Sequence, residues 1–101
     1  MNIKNLTQRV EIISQNYAKK FKIKRDDSWF VLKLQEEMGE LIQSYMMFSG
    51  QGRKKGKQAE ELKHDFESEV ADVLGQLLLL AKHFGVNIER IVNEKWLKYE
   101  K

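Results

Sequence analysis

The chain has 101 residues, enough for one domain over 1–101 and not two, and its 42% hydrophobic and 33% charged residues suit a globular protein rather than a disordered one. Cysteine is absent, which excludes disulfides, zinc-thiolate sites and cysteine nucleophiles. The net charge of +3 is mild but segregated: Lys19, Lys20, Lys22, Lys24 and Arg25 form one basic cluster, Arg53, Lys54, Lys55 and Lys57 another, and acids gather mid-chain, a pattern that points to an anionic ligand handled beside a metal.

In chain order, residues 3–21 place Leu6, Val10, Ile13 and Tyr17 at spacings of three and four, the apolar stripe of a first helix. Asp26, Asp27 and Ser28 are N-cap candidates for a second helix from about Trp29 to Phe48. Ser49-Gly50-Gln51-Gly52 ends it, and a basic loop runs to about Lys57. The spacing predicts a third helix over 59–84, with Glu60 and Glu61 complementing its dipole and Gly85 just past its end. Asn87 then caps a fourth helix to the C-terminus, anchored by Ile88, Ile91, Val92, Trp96 and Tyr99.

Short connections between amphipathic helices favour antiparallel neighbours, so the expected fold is all-α, a four-helix-type bundle. From Val70 to Leu80 the third helix is apolar around almost its whole circumference, which predicts burial on most sides. A chain this small does not bury such a helix alone, so a homodimer or homotetramer is expected. The polar stretch MNIKNLTQRVEI has no apolar signal core, and the run from Val70 to Ala81 is too short to span a bilayer. A cytoplasmic protein without membrane attachment is expected.

The chemistry lies in two acidic clusters. On the second helix Lys33, Glu37, Glu40 and Ser44 fall on one face, with Glu36 one position aside. On the third, Asp65, Glu69, Asp72 and Gln76 repeat that spacing. A single charged stripe is usually a solvated face. Two matched stripes with apolar flanks, on helices that pack about 8–10 Å apart, describe a cage for a hard divalent cation. An oxygen-only shell selects Mg²⁺, with Mn²⁺ as a substitute, over zinc or copper. A di-iron bundle would want Glu-x-x-His pairs, and neither His64 nor His83 stands at that spacing; both histidines are read as surface or capping groups.

Glu36-Glu37-x-x-Glu40, followed after 28 residues by Glu69-x-x-Asp72, resembles the signature of the MazG-like all-α nucleoside triphosphate pyrophosphohydrolases. That family includes dimeric dUTPases, dCTP pyrophosphatases and phosphoribosyl-ATP pyrophosphohydrolases. The likeness extends through Trp29, LKLQEEMGEL, SGQGRKKGK, EVADVLGQLLLLA and VNEKWLKYE, most of residues 25–100. It implies a Mg²⁺-dependent cut between the α- and β-phosphates, giving a nucleoside monophosphate and pyrophosphate. It also implies Glu37, Glu40, Glu69 and Asp72 as metal ligands, and Glu36 as the motif's first acid, which supports the ligands or orients water. Glu36 and Glu37 are thus the catalytic candidates, since a nearby carboxylate can take the proton from the attacking water.

For a triphosphate substrate, Arg53, Lys54 and Lys57 could close over the phosphates, the alternative being a flexible solvated connector. The loop is not a Walker A motif, because no strand precedes it and no Lys-Ser or Lys-Thr pair is present. Lys95 matches a lysine typical of the family and, with Asn93, could reach a phosphate; an exposed helical lysine is the alternative. Lys33 lies on the acidic face, and Trp29 could stack on a nucleobase or belong to the core. Gln76 stands where dCTP-specific relatives carry an aromatic residue, which leaves the base preference open. Two rival readings remain. One is phosphoribosyl-ATP as the substrate of the same cut. The other is a non-catalytic helical module binding nucleic acid through residues 19–25 and 53–57, which predicts salt-dependent oligonucleotide binding and leaves the acidic stripes unexplained. No stable nucleic-acid partner is expected.

Overall fold

The computed structural model describes residues 1–101. It is all-α: α1 (Ile3–Phe21), α2 (Asp27–Phe48), α3 (Ala59–His83) and α4 (Ile88–Lys95), with a 3-10 turn at Leu97–Tyr99 and no strand. The helix ends follow local chemistry. Asn2 Oδ1 accepts from the Asn5 N–H at 2.8 Å, Asp26 Oδ1 from the Trp29 N–H at 2.9 Å, and Asn87 Oδ1 from the Arg90 N–H at 3.0 Å. Each satisfies an amide that the first helical turn leaves unpaired. Gly85, at φ +69°, ends α3, with the Val86 N–H returning to the Ala81 carbonyl at 2.8 Å. That left-handed position is the one for which glycine was expected.

α2 and α3 pack as an antiparallel hairpin. At one end His83 stacks on Phe30 with centroids 4.2 Å apart, and its Nε2 lies 2.6 Å from Asp27 Oδ1. At the other end Phe48 stacks on Phe66 at 5.4 Å. His83 therefore clamps the two helices together, a role that a reading of isolated histidines does not reveal. Phe30, Leu62, Leu78 and Leu79 form the centre of the core with Ala18 and Ala81. Leu78 is 1% exposed. Leu78→Ala is expected to cost about 2–5 kcal/mol, read as a lowered urea midpoint; a loss below about 1 kcal/mol would place the core elsewhere.

α1 departs from its expected stripe. Its buried residues are Ser14 and Ala18, while Ile13 is 67% exposed and Tyr17 is also exposed. The small pair, one turn apart, lets the α1 backbone approach its neighbours, and this rotates the larger residues outward. Arg25 fixes that placement: Nη2 lies 2.7 Å from Glu11 Oε2, and Nη1 donates to Glu11 Oε1 at 2.9 Å and to Ser14 Oγ at 3.1 Å. The same guanidinium sits 5.2 Å from the Phe30 ring centre.

α4 also differs from expectation. It stops at Lys95 instead of reaching the C-terminus, and the anchors Ile91, Val92, Trp96 and Tyr99 are exposed, Trp96 by 70%. On α3, Val70, Leu74 and Leu77 are exposed as well. Only eight of 101 residues are buried, and the radius of gyration is 16.1 Å, against about 13 Å for a compact 100-residue domain. These apolar faces find no partner within the chain. No helix is long and apolar enough to cross a membrane.

Candidate metal centre

The antiparallel hairpin sets Glu37 and Glu40, successive on one face of α2, against Glu69 of α3. One carboxylate oxygen from each lies within 4.8 Å of the others. Glu37 is buried, only 8% exposed, whereas Glu40 is exposed and Glu69 intermediate. Glu37 Oε2 and Glu69 Oε2 are sealed from solvent and have no hydrogen-bond partner. The five ion pairs of the chain leave all three glutamates out.

Three carboxylates this close repel one another, and burial removes the water that would screen them. Burial, reinforced by the charges of Glu40 and Asp72, pushes the Glu37 carboxyl up to about 7. Burial and then the charges of Asp72, Glu40 and Asp65 raise Glu69 in the same direction. Such a site is relieved by protons or by a multivalent cation. The converging oxygens, two of them without partners, are a donor set that could hold a hard metal cation. Glu37, Glu40 and Glu69 would hold it.

Asp72 lies outside this three-residue cluster. It flanks the site, lining the same cleft as Glu37, and acts on both buried glutamates through its charge. Glu36 also stays apart, 3.4 Å from Lys33 Nζ and largely exposed.

Two clefts open on either side of the cluster. The first, ≈ 380 Å³, lies among α1, α2 and α3 and is lined by Ile13, Tyr17, Trp29 and Gln76 together with Lys33, Glu37 and Asp72. The second, ≈ 450 Å³, holds Glu40 and Glu69 together with Ser44, Asp65, Lys55 and Lys57. Lys57 Nζ is 2.6 Å from Asp65 Oδ2. A third void of ≈ 480 Å³, between Ile3–Gln8 and the α3–α4 turn, contains none of the clustered acids.

The expected site residues thus divide. Trp29, Lys33, Glu37, Asp72 and Gln76 meet in the first cleft, and Glu40, Glu69 and Lys57 in the second. Arg53 and Lys54 are exposed loop residues that line neither, and Asn93 and Lys95 stand exposed on α4, outside both. Two contributors escaped the sequence reading. Lys55 enters the second cleft from a left-handed backbone position, φ 53°, which nothing in the basic run distinguishes. Tyr17 was assigned to a core stripe, and only the rotation of α1 turns it toward the first cleft. Comparison with family models, curated proteins and solved structures finds no match for this chain.

Proposed function

We propose that this chain is a MazG-like, Mg²⁺-dependent nucleoside triphosphate pyrophosphohydrolase, with Mn²⁺ able to substitute, that cuts between the α- and β-phosphates. The observation that carries this reading is a three-carboxylate cluster between an aromatic-lined cleft and a lysine-lined one. A nucleotide has that same polarity: a flat apolar base at one end and a polyanion at the other. With the base beside Tyr17 and Trp29 and the terminal phosphates beside Lys55 and Lys57, the α–β anhydride bond lies over Glu37, Glu40 and Glu69.

A bound divalent cation supplies charge neutralisation on the phosphate oxygens and a more acidic water. The protein supplies the rest. Lys55 and Lys57 favour the charge that develops on the leaving pyrophosphate. Glu36 and Glu37 are the proton acceptors proposed for the attacking water; Glu37 stands in the cluster, and Glu36 reaches it only by leaving Lys33. Glu37 gives up its proton as the cation binds, so cation affinity rises with pH through about 7.

The exposed apolar residues of α3 and α4 support a homodimer or homotetramer, and a cytoplasmic location is part of the same proposal. Light scattering at micromolar concentration is expected to give at least twice the 12.0 kDa chain mass; a monomer would refute the assembly.

The reaction itself is tested by incubating the protein with Mg²⁺ and a panel of NTPs and dNTPs and resolving the products. Monophosphate and pyrophosphate are expected. Diphosphate and phosphate would contradict the position of the cut, and no turnover of any nucleotide would refute this substrate class.

A further inference from the structure

We infer that Glu11 and Arg25 are positioning residues for the nucleoside end of the substrate: their ion pair fixes the rotation of α1 and so holds Tyr17 in the first cleft, while the α2–α3 hairpin and its loop carry the cation and the phosphates. This inference rests on the nucleotide reading of the site.

The site divides by element. Glu37, Glu40 and Glu69 stand on α2 and α3, and Lys55 and Lys57 on the loop between them. α1 adds nothing to that end, but it supplies Val10, Ile13, Ser14 and Tyr17, one side of the first cleft. Little apolar burial keeps it there. Only Ser14 and Ala18 are buried on α1, and Ile12, Ile13, Tyr17 and Phe21 are exposed. Beyond the helix, its side chains hydrogen-bond or ion-pair with Arg25 alone.

Arg25 is tied on its other side to the hairpin. Its guanidinium lies 5.2 Å from the ring centre of Phe30, which is 3% exposed in the α2–α3 core. Toward α1 the same group donates to both Glu11 oxygens, at 2.9 and 2.7 Å, and to Ser14 Oγ at 3.1 Å. The two side chains of the ion pair are mostly buried, and the hydrogen bonds from Arg25 hold the Glu11 carboxyl below the usual carboxylate range. A bidentate guanidinium–carboxylate pair fixes orientation as well as distance. Ser14 lies three residues from both Glu11 and Tyr17, so it sits between the anchor and the aromatic on the helix surface. A side-chain tip stands about 5–6 Å from a helix axis, so a turn of roughly 20° about that axis carries the Tyr17 ring about 2 Å out of place. Such a displacement weakens contact with a nucleoside and leaves the carboxylates, on other helices, where they are.

The test compares two substrates that share the reacting end: a dNTP, and methyl triphosphate, which has no nucleoside. Wild type is expected to favour the dNTP in kcat/KM. Glu11→Ala and Arg25→Lys are each expected to raise KM for the dNTP roughly tenfold or more with kcat little changed, and to leave both constants for methyl triphosphate within about twofold. Arg25→Lys keeps the charge while losing the fork, and it stands in should Glu11→Ala fail to fold. Tyr17→Ala is expected to raise the dNTP KM as well, and Glu11→Ala added to it to cost little more, because both act through one contact. Three results overturn the inference: equal losses on both substrates, dNTP constants unchanged in the Glu11 and Arg25 variants, or fully additive effects with Tyr17→Ala. A wild type that does not distinguish the two substrates overturns it too.

Tryptophan fluorescence on titration with AMP and UMP supplies a readout independent of hydrolysis, since Trp29 lines the same cleft. A protein that turns over neither triphosphate, yet binds either monophosphate more weakly in Arg25→Lys, refutes the pyrophosphohydrolase reading and upholds the role of Arg25 in shaping the cleft. Binding of neither monophosphate, or binding unchanged in Arg25→Lys, overturns the latter.

Discussion

Glu40→Gln and Asp72→Asn are each expected to lower turnover of the preferred nucleotide by on the order of a hundredfold or more, with the helical spectrum unchanged. Both residues are exposed, so removing their charge leaves no buried group unpaired and costs little folding energy. This separates them from Glu37, whose burial couples any substitution to stability. Glu40 contributes an oxygen to the three-glutamate cluster, and Asp72 sets the field on Glu37 and Glu69 from the flank. Steady-state kinetics at saturating Mg²⁺ checks the expectation. Turnover within tenfold of wild type in both variants would remove the carboxylates from the chemistry.

The second large effect is a stability that falls as pH rises when no divalent cation is present. The folded protein holds the Glu37 proton more tightly than the unfolded chain does, with its pKa raised from 4.5 to about 7. Stability rises with pH only where the unfolded state binds more protons, so here the sign is reversed. The favourable contribution is complete below about 4.5 and is lost as pH climbs through about 7. At about 1.4 kcal/mol per tenfold change in proton affinity, the loss is about 3 kcal/mol. Glu69 adds to it in the same direction. Glu11, whose pKa is lowered by its hydrogen bonds with Arg25, works in the opposite sense, but at pH values below the usual carboxylate range.

Mg²⁺ is expected to reverse the loss, because a cation held by the ionised cluster would bind the folded state alone. At about one hundred times its dissociation constant, a ligand of this kind adds about 2.7 kcal/mol. For a domain of this size that amounts to a rise of roughly 10 °C or more in melting temperature. Calorimetry should therefore show a large Mg²⁺ shift near pH 8 and little near pH 5. Glu37→Gln should raise the melting temperature in EDTA at pH 8 and weaken the Mg²⁺ response. A melting temperature that climbs from pH 5 to 8 in EDTA, or an undiminished Mg²⁺ shift in Glu37→Gln, would show that the acids face solvent separately.

The helices were legible because their signals are local. Asn87 and Gly85 terminate or start helices through bonds to residues a few positions away, and Asp26 emerged from three capping candidates in the same manner. The facing of Glu37 and Glu40 toward Glu69 was legible for a related reason: positions three and four apart share a helix face whatever surrounds it. Where α4 ends was not legible. The pattern Ile88, Ile91, Val92, Trp96 and Tyr99 is that of a helix that packs, and in the isolated chain nothing covers it.

What the sequence by itself determined is the number of helices, the caps at Asp26, Gly85 and Asn87, and the two acidic faces, all products of backbone hydrogen bonding and helical periodicity. Only the tertiary structure decided that Glu37 is buried while Glu40 is exposed, that Asp72 flanks the cluster, and that Lys55 rather than Arg53 or Lys54 lines the second cleft. It also decided that Tyr17 belongs to a cleft and that His83 meets Asp27. Periodicity names the face of a helix but not its rotation against a neighbour. The proton affinity of a carboxylate depends on the charges and the missing water that other helices impose, and those are set only when the helices pack.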